Sequence, residues 1–190
     1  MIDSFSTQRL RLVATTVAHL DAELQSPENL AQLLNAEVTP EWPPGEYDRS
    51  AQQYLKERLM EGGASVVGWF GWYALLMGDN NGRSRLIGAA GFFGPPSEEG
   101  ELEIGYSVIP SSRKKGYATE IVKALLYKAF EDPRVKRVTA RTNIHNKASA
   151  AVLKNAGFSC IASDTASENL LYVITNLNFN YIHEIYPTGS

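Results

Sequence analysis

Polar and apolar residues alternate along Thr7–Val13, with Leu10 and Leu12 on one face, and this pattern predicts a first strand. Two short helices are expected next, over Val17–Gln25 and Pro27–Leu34. Ser26 is placed to cap the second, and Pro27 occupies a first-turn position that tolerates proline. Thr39–Gly45 contains three prolines and a glycine, which excludes regular structure there. A helical pattern resumes over Arg49–Met60 and stops at Gly62-Gly63. Val66–Met77, Arg85–Gly94 and Glu101–Ile109 then read as three consecutive strands. The turn cluster Asp79–Gly82 joins the first two as an antiparallel hairpin. The third follows the loop Pro95–Gly100 and is stopped by Pro110, which supplies no ladder donor.

The clearest amphipathic helix places Ala118, Ile121, Val122, Leu125, Leu126, Ala129 and Phe130 at i, i+3, i+4 and i+7 spacings. Arg137–Thr142 is expected as a strand and Ala148–Asn155 as a helix closed by Gly157. Phe158–Ala162, Leu170–Thr175 and Phe179–Ile185 complete the strands. An antiparallel first half followed by strand, helix, strand, helix, strand predicts a mixed α/β fold with some parallel pairing.

Composition narrows the class. The chain has 190 residues, 44% hydrophobic and 21% charged, with a net charge of −3. That fits one domain over residues 1–190, large enough to bury roughly 70% of its unfolded surface, and it excludes disorder as the main theme. The acidic balance speaks against a nucleic-acid partner. Cys160 is the only cysteine, so neither a disulfide framework nor a Cys-rich zinc site is available. His19, His145 and His183 lie far apart without metal-ligand spacing, and no metal is expected. The N-terminus lacks a secretory apolar core. The uncharged stretch Gly62–Gly78 is shorter than the ~20 apolar residues of a spanning helix and contains five glycines. A cytoplasmic protein without a membrane partner is the expectation.

One junction carries chemistry. A strand ends at Ile109 and a helix begins behind Arg113, Lys114 and Lys115. A helix start carries partial positive charge, so three cations there are unfavourable unless an anion lies between them. Gly116 permits φ > 0 and close approach of a ligand to the backbone. The junction reads either as a phosphate cradle or as a solvated basic turn. No Walker, dinucleotide-binding or hydrolase-elbow motif occurs elsewhere.

Arg113-x-x-Gly116-x-Ala118 resembles the acetyl-CoA motif of the GNAT N-acetyltransferase superfamily. Glu103-Ile104-Gly105-Tyr106 precedes it at the matching interval. Asn146-Lys147-Ala148-Ser149 and Leu153–Phe158 follow in order, and with Thr7-x-Arg9-Leu10-Arg11-Leu12 the chain resembles the RimJ/RimL-type subgroup over about residues 7–160. The resemblance implies a mostly antiparallel mixed sheet flanked by helices, with one splayed parallel pair. It implies acetyl-CoA as cosubstrate, its pantetheine on the backbone of Ser107, Val108 and Ile109. Its pyrophosphate would lie on Arg113, Lys114, Lys115, Gly116, Tyr117, Ala118 and Thr119, with Asn143 and Asn146 bordering the arm.

Glu103 is implied as the base, acting through water, with strand-face pairing as its bland alternative. Ser149 lies near the thioester, and Tyr106 either orients substrate or packs. Asn143 and Asn146 have turn and cap duty as their alternative roles. Many members carry an acid tyrosine four residues before the Gly-Phe pair; Leu153 stands there instead, leaving Ser149, another tyrosine or solvent to protonate the thiolate. Glu98, Glu99 and Glu101 form an acidic rim. Trp42, Tyr47, Trp69 and Trp72 are offered either to an acceptor cleft or to the core, with Trp69 and Trp72 assigned to the core. The Pro40–Tyr47 loop is the expected specificity element. The implied reaction acetylates a peptide N-terminal α-amine. A small amine acceptor and a non-catalytic acyl-CoA-binding module are the alternatives. A homodimer through the C-terminal strands is compatible with the pattern.

Overall fold

The computed structural model describes residues 3–78, 82–164 and 166–179. Most of the expected Asp79–Gly82 turn, and residues 180–185 of the last expected strand, lie outside the described residues. The strands are β1 (Ser4–Ser6), β2 (Leu10–Ala14), β3 (Ala36–Glu37), β4 (Gly71–Leu76), β5 (Ser84–Phe92), β6 (Glu101–Val108), β7 (Arg137–Asn143), β8 (Ser159–Asp164) and β9 (Asn169–Thr175). They form one mixed sheet in the order β1-β2-β4-β5-β6-β7-β9-β8, with the short β3 parallel to β5. The helices are α1 (Val17–Gln25), α2 (Pro27–Leu34), α3 (Arg49–Gly62), α4 (Tyr117–Phe130) and α5 (Lys147–Asn155). The expected mixed α/β architecture is present, and β4 and β5 pair antiparallel as the hairpin pattern requires.

The helix starts follow from local chemistry. Ser26 Oγ caps α2 by accepting from Asn29 N–H, with Pro27 in the first turn. Thr16 caps α1 in a reciprocal box whose third residue is His19 rather than Glu. His19 Nδ1 accepts from Thr16 N–H at 3.2 Å, which requires an unprotonated nitrogen. Burial of the ring lowers its pKa and supplies the neutral form.

Adjacent sheet residues face opposite layers. Tyr73, Ala89 and Ser107 stand in one row across β4, β5 and β6, and Tyr73 reaches Glu23 of α1. The neighbouring row of Ala74, Gly88 and Val108 points the other way, where an added Cβ at Gly88 would meet Ile121 of α4 at 3.4 Å. The α1–α3 layer and the α4–α5 layer therefore cover opposite faces. Leu12, Trp72, Leu86, Ile87, Leu102, Leu125 and Val138 build the main core. Leu20, Leu59 and Phe70 form a satellite cluster beneath α1 and α3. Trp72 is fully buried and Trp69 half-buried, in keeping with their core assignment.

Two expected strands differ from the structure. Residues 66–70 form no strand: Gly63–Val66 is a 3-10 turn, Trp69 N–H bonds Val66 O, and Gly68 takes φ +89°. The apolar run there buries a turn, so the strand begins only at Gly71. Phe179 ends the helical turn 176–179 and packs its ring on Tyr127 and Phe130 of α4.

A row of three glycines, Gly71, Gly91 and Gly105, crosses β4, β5 and β6. A Cβ on Gly91 would lie 1.7 Å from Phe70 O, a backbone atom that no rotamer change can move aside. Gly91→Ala should cost about 3 kcal/mol, the upper end of ordinary overpacking, read as a lower midpoint in urea unfolding.

Candidate active site

Strand β6 changes partners along its length. Glu101, Leu102 and Glu103 pair in parallel with Arg137, Val138 and Thr139, and the register then stops although both strands continue. From Ile104 to Val108, β6 is paired only with β5. Among the described residues, the backbone edge that faces β7 beyond Glu103 has no strand partner, and such an edge calls for other hydrogen-bonding groups.

The free edge leads into the basic junction. Pro110–Ser112 makes a 3-10 turn, Lys114 takes φ +60°, and Gly116 takes φ +81° as the N-cap of α4. Gly116 provides no side-chain cap, so the first N–H groups of α4, from Tyr117, Ala118 and Thr119, lack an intrahelical acceptor. Arg113 and Lys114 are exposed, but Arg113 Nε donates to Val108 O at 3.0 Å and fastens the turn to the end of β6. Lys115 Nζ donates to Ser111 O at 2.9 Å. Of the three backbone positions expected to meet pantetheine, Ile109 already spends its N–H on Ile87 O of β5. Ser107, in the same register opposite Ala89, likewise faces β5 with its backbone groups, and Val108 faces the splayed side.

The opening between β6 and β7 is flanked by two side-chain pairs. Tyr106 and Ser149 of α5 join hydroxyl to hydroxyl at 2.9 Å, and Tyr106 also donates to Ser149 O at 3.2 Å. Burial pushes the Tyr106 phenol up to about 12, while the Ser149 contact pulls the other way, so the phenol keeps its proton. Glu103 faces the opposite side of β6, where its carboxylate pairs with Arg141 of β7. The strand-face pairing considered for Glu103 is thus realised. The two asparagines do the local work considered for them: Asn146 Oδ1 caps α5 at Ser149 N–H, and Asn143 Oδ1 accepts from His145 N–H. Leu153 is fully buried in the core.

On the α1 side, the 40–48 segment lies against β6. A Cβ on Gly45, which takes φ +55°, would come within 2.8 Å of Ser107 Oγ. Phe93 is 61% exposed and its ring rests over Gly105, 3.4 Å from where a Cβ would stand. With Pro95, Glu99, Glu101 and Glu103 it lines a cavity of about 480 Å3 at the end of β6 away from the basic turn. The acidic rim is partly neutralised, since Glu101 pairs with Arg137 at 2.5 Å. Trp42 is 7% exposed and so belongs to the interior rather than to an open cleft.

Residues 9–159 match the family described as the acetyltransferase (GNAT) domain. The chain belongs to that family. It is 30% identical over 167 residues to the uncharacterized N-acetyltransferase YjdG of Bacillus subtilis (strain 168), covering 88% of this chain and 96% of that one. The fold is similar to RimL, a ribosomal L7/L12 alpha-N-protein acetyltransferase, with a TM-score of 0.62 at 18% identity over 92% of this chain and 95% of that one. It is also similar to the aminoglycoside acetyltransferase AAC(6')-Ib in complex with coenzyme A and kanamycin, with a TM-score of 0.60 at 22% identity over 90% and 98% of the two chains.

Two groups of this GNAT domain escape a linear reading of the sequence. Arg9 and Glu120 form a clamp at the start of α4. Glu120 accepts from Thr7 Oγ1 at 2.6 Å and from Arg9 N and Nε at 3.0 and 2.7 Å, and Arg9 Nη1 donates to Lys115 O. The Arg9 guanidinium also stacks 4.5 Å over the Tyr117 ring. The Thr7-x-Arg9 pattern was visible; its partner, 111 residues away, was not.

The second group is Glu23, 8% exposed, which accepts from Trp42 Nε1, Tyr47 Oη, Gln52 Nε2 and Tyr73 Oη at 2.6, 2.9, 3.0 and 2.5 Å. Desolvation raises its pKa above 4.5, outweighing the lowering by these four donors. The folded state therefore binds this proton more tightly than the unfolded chain. The stabilisation is complete below pH 4.5 and is lost as pH rises through the folded-state value. Unfolding free energy measured in urea across that window should fall more steeply with pH for the wild type than for Glu23→Gln. Parallel curves would show that Glu23 does not titrate abnormally.

Proposed function

We propose that this GNAT protein transfers the acetyl group of acetyl-CoA to a protein or peptide N-terminal α-amine by direct attack in a ternary complex. The observation that carries the reading is the early end of β6–β7 pairing beside the uncapped, cation-flanked start of α4. The residues present fit the cosubstrate. The free edge of β6 offers the Val108 N–H to an amide-bearing arm, whereas Ser107, like Ile109, turns its backbone groups toward β5. Gly116 leaves space where a side chain would intrude, its Cβ position lying 3.4 Å from Arg9. The N–H groups from Lys114 to Thr119 hold the pyrophosphate, Lys114 and Lys115 lie beside the ribose phosphate, and Asn143 and Asn146 border the arm.

Acetyl-CoA supplies an acyl group activated as a thioester. The chain's own groups manage two protons. Glu103 takes the ammonium proton through a water, released from its pairing with Arg141. The Ser149 hydroxyl gives its proton to the leaving sulfur and regains one from solvent, while Tyr106, itself protonated, holds Ser149 in place. An α-amine, with pKa about 8, asks less of such a base than a lysine at about 10.4. The likeness to RimL and the exposed position of Phe93 support an acceptor presented at an open rim. The carboxylates of Glu99, Glu101 and Glu103 around the cavity favour, as a second reading, a small cationic amine.

Calorimetric titration with acetyl-CoA should show micromolar binding to the wild type and a loss of about 100-fold or more in Gly116→Glu, which strains the φ +81° turn and adds a carboxylate at the helix start. Absence of wild-type binding would sink the enzyme reading. Turnover on a panel of N-terminal peptides and small amines, followed by thiol release, then decides the acceptor.

Ser149→Ala and Glu103→Gln should each lower kcat by about 100-fold while acetyl-CoA affinity holds. Tyr106→Phe should lower it less. Unchanged kcat in Ser149→Ala or Glu103→Gln would remove that residue from the chemistry.

A further inference from the structure

The segment between α2 and α3 is fastened on two sides. On one side, Glu23 of α1 binds Trp42 and Tyr47. On the other, Glu41 reaches the turn that follows β6: it accepts from Ser111 N–H at 3.0 Å and from Ser111 Oγ. Between these ties Gly45 sits against Ser107 of β6. Ser111 is engaged at every polar group, because Lys115 Nζ occupies its carbonyl. An anionic and a cationic side chain thus meet at one residue, and only the cation belongs to the stretch proposed to hold pyrophosphate.

We infer that Glu41 is a positioning residue that couples the cofactor turn to the acceptor-side segment 40–48. The inference rests on the acetyl-CoA reading of the basic turn. A phosphate group drawn to Lys115 and to the N–H groups beyond it fixes the 111–116 turn. Through Ser111 the fixed turn holds Glu41, and with it the segment whose other end Glu23 already anchors. Glu41 itself touches no reacting atom. Its role is to make the acceptor side more ordered when the cosubstrate is bound, a coupling between two sites through one hydrogen-bonded turn.

Hydrogen exchange of the 40–48 amides in the full-length protein, with and without saturating acetyl-CoA, tests this. In the wild type, acetyl-CoA should slow exchange there by about fivefold, the low end of usual coupling between sites. Glu41→Ala should abolish the slowing while still binding acetyl-CoA. Glu41→Gln should restore it, because a carboxamide oxygen still accepts from Ser111 N–H and its NH₂ bonds Ser111 Oγ. A thermal melt of Glu41→Ala close to that of the wild type shows that the loss is local. Acetyl-CoA binding with unchanged exchange in the wild type overturns the coupling and leaves the cofactor reading intact. An equal response in Glu41→Ala overturns it as well. Failure of the wild type to bind acetyl-CoA in a parallel titration overturns both.

Discussion

Hydrogen-bond accounting along β6 governs this molecule. A strand within a sheet must satisfy both of its edges, and β6 pairs with β5 from Ile104 to Val108 but with β7 only from Glu101 to Glu103. The half-empty edge that remains is tolerable only beside other polar partners. The turn after Val108 supplies one of them, the Arg113 guanidinium on the Val108 carbonyl. The opening, the basic turn and the helix start are therefore consecutive consequences of one parallel pair that ends early.

The cation excess at the start of α4 is held in check by geometry as well as by charge. Glu120 sits in the first turn, where a carboxylate is favoured by the helix dipole, and it is claimed by Thr7 and Arg9 from the edge of the sheet. Arg9 in turn donates to the carbonyl of Lys115, so the backbone just before α4 is gripped at its carbonyl. Exposed ion pairs contribute little singly; this one is multidentate and binds the turn between β1 and β2 to α4. Rigidity of the loop, more than net attraction, is what the clamp provides.

Most of the fold was legible because its elements carry strong periodicity and punctuation. The seven apolar positions of α4, Ser26-Pro27 before α2 and Pro110 after β6 each imposed their own boundary. The 66–70 segment misled because an apolar run says that residues are buried, not that they are extended; Gly68 decided otherwise through its positive φ. The short strands β1 and β3 contain too few residues for alternation to register. In the site, Glu103, Ser149 and the Arg113–Thr119 stretch were visible through resemblance. Their partners were not, since Arg141, Tyr106's hold on Ser149, and the Arg9–Glu120 clamp are long-range contacts. Glu23 was silent for a different reason: a lone acidic residue in an amphipathic helix looks like a solvated one until four donors from the 40–48 segment, α3 and β4 converge on it.

The glycine row across β4, β5 and β6 also bears on how such a domain can change over generations. Thr15 crowds the place of a side chain at Gly71, the Phe70 carbonyl fills it at Gly91, and the Phe93 ring covers it at Gly105. Backbone thus closes off Gly91 and Gly71 is crowded, while Gly105 leaves only an ordinary contact beneath the exposed Phe93 ring, so the middle of the sheet has little room for a new discriminating group. Innovation in what the protein accepts is channelled to the perimeter, to Phe93 and the 40–48 segment, where a lineage can diversify without disturbing the strands beneath.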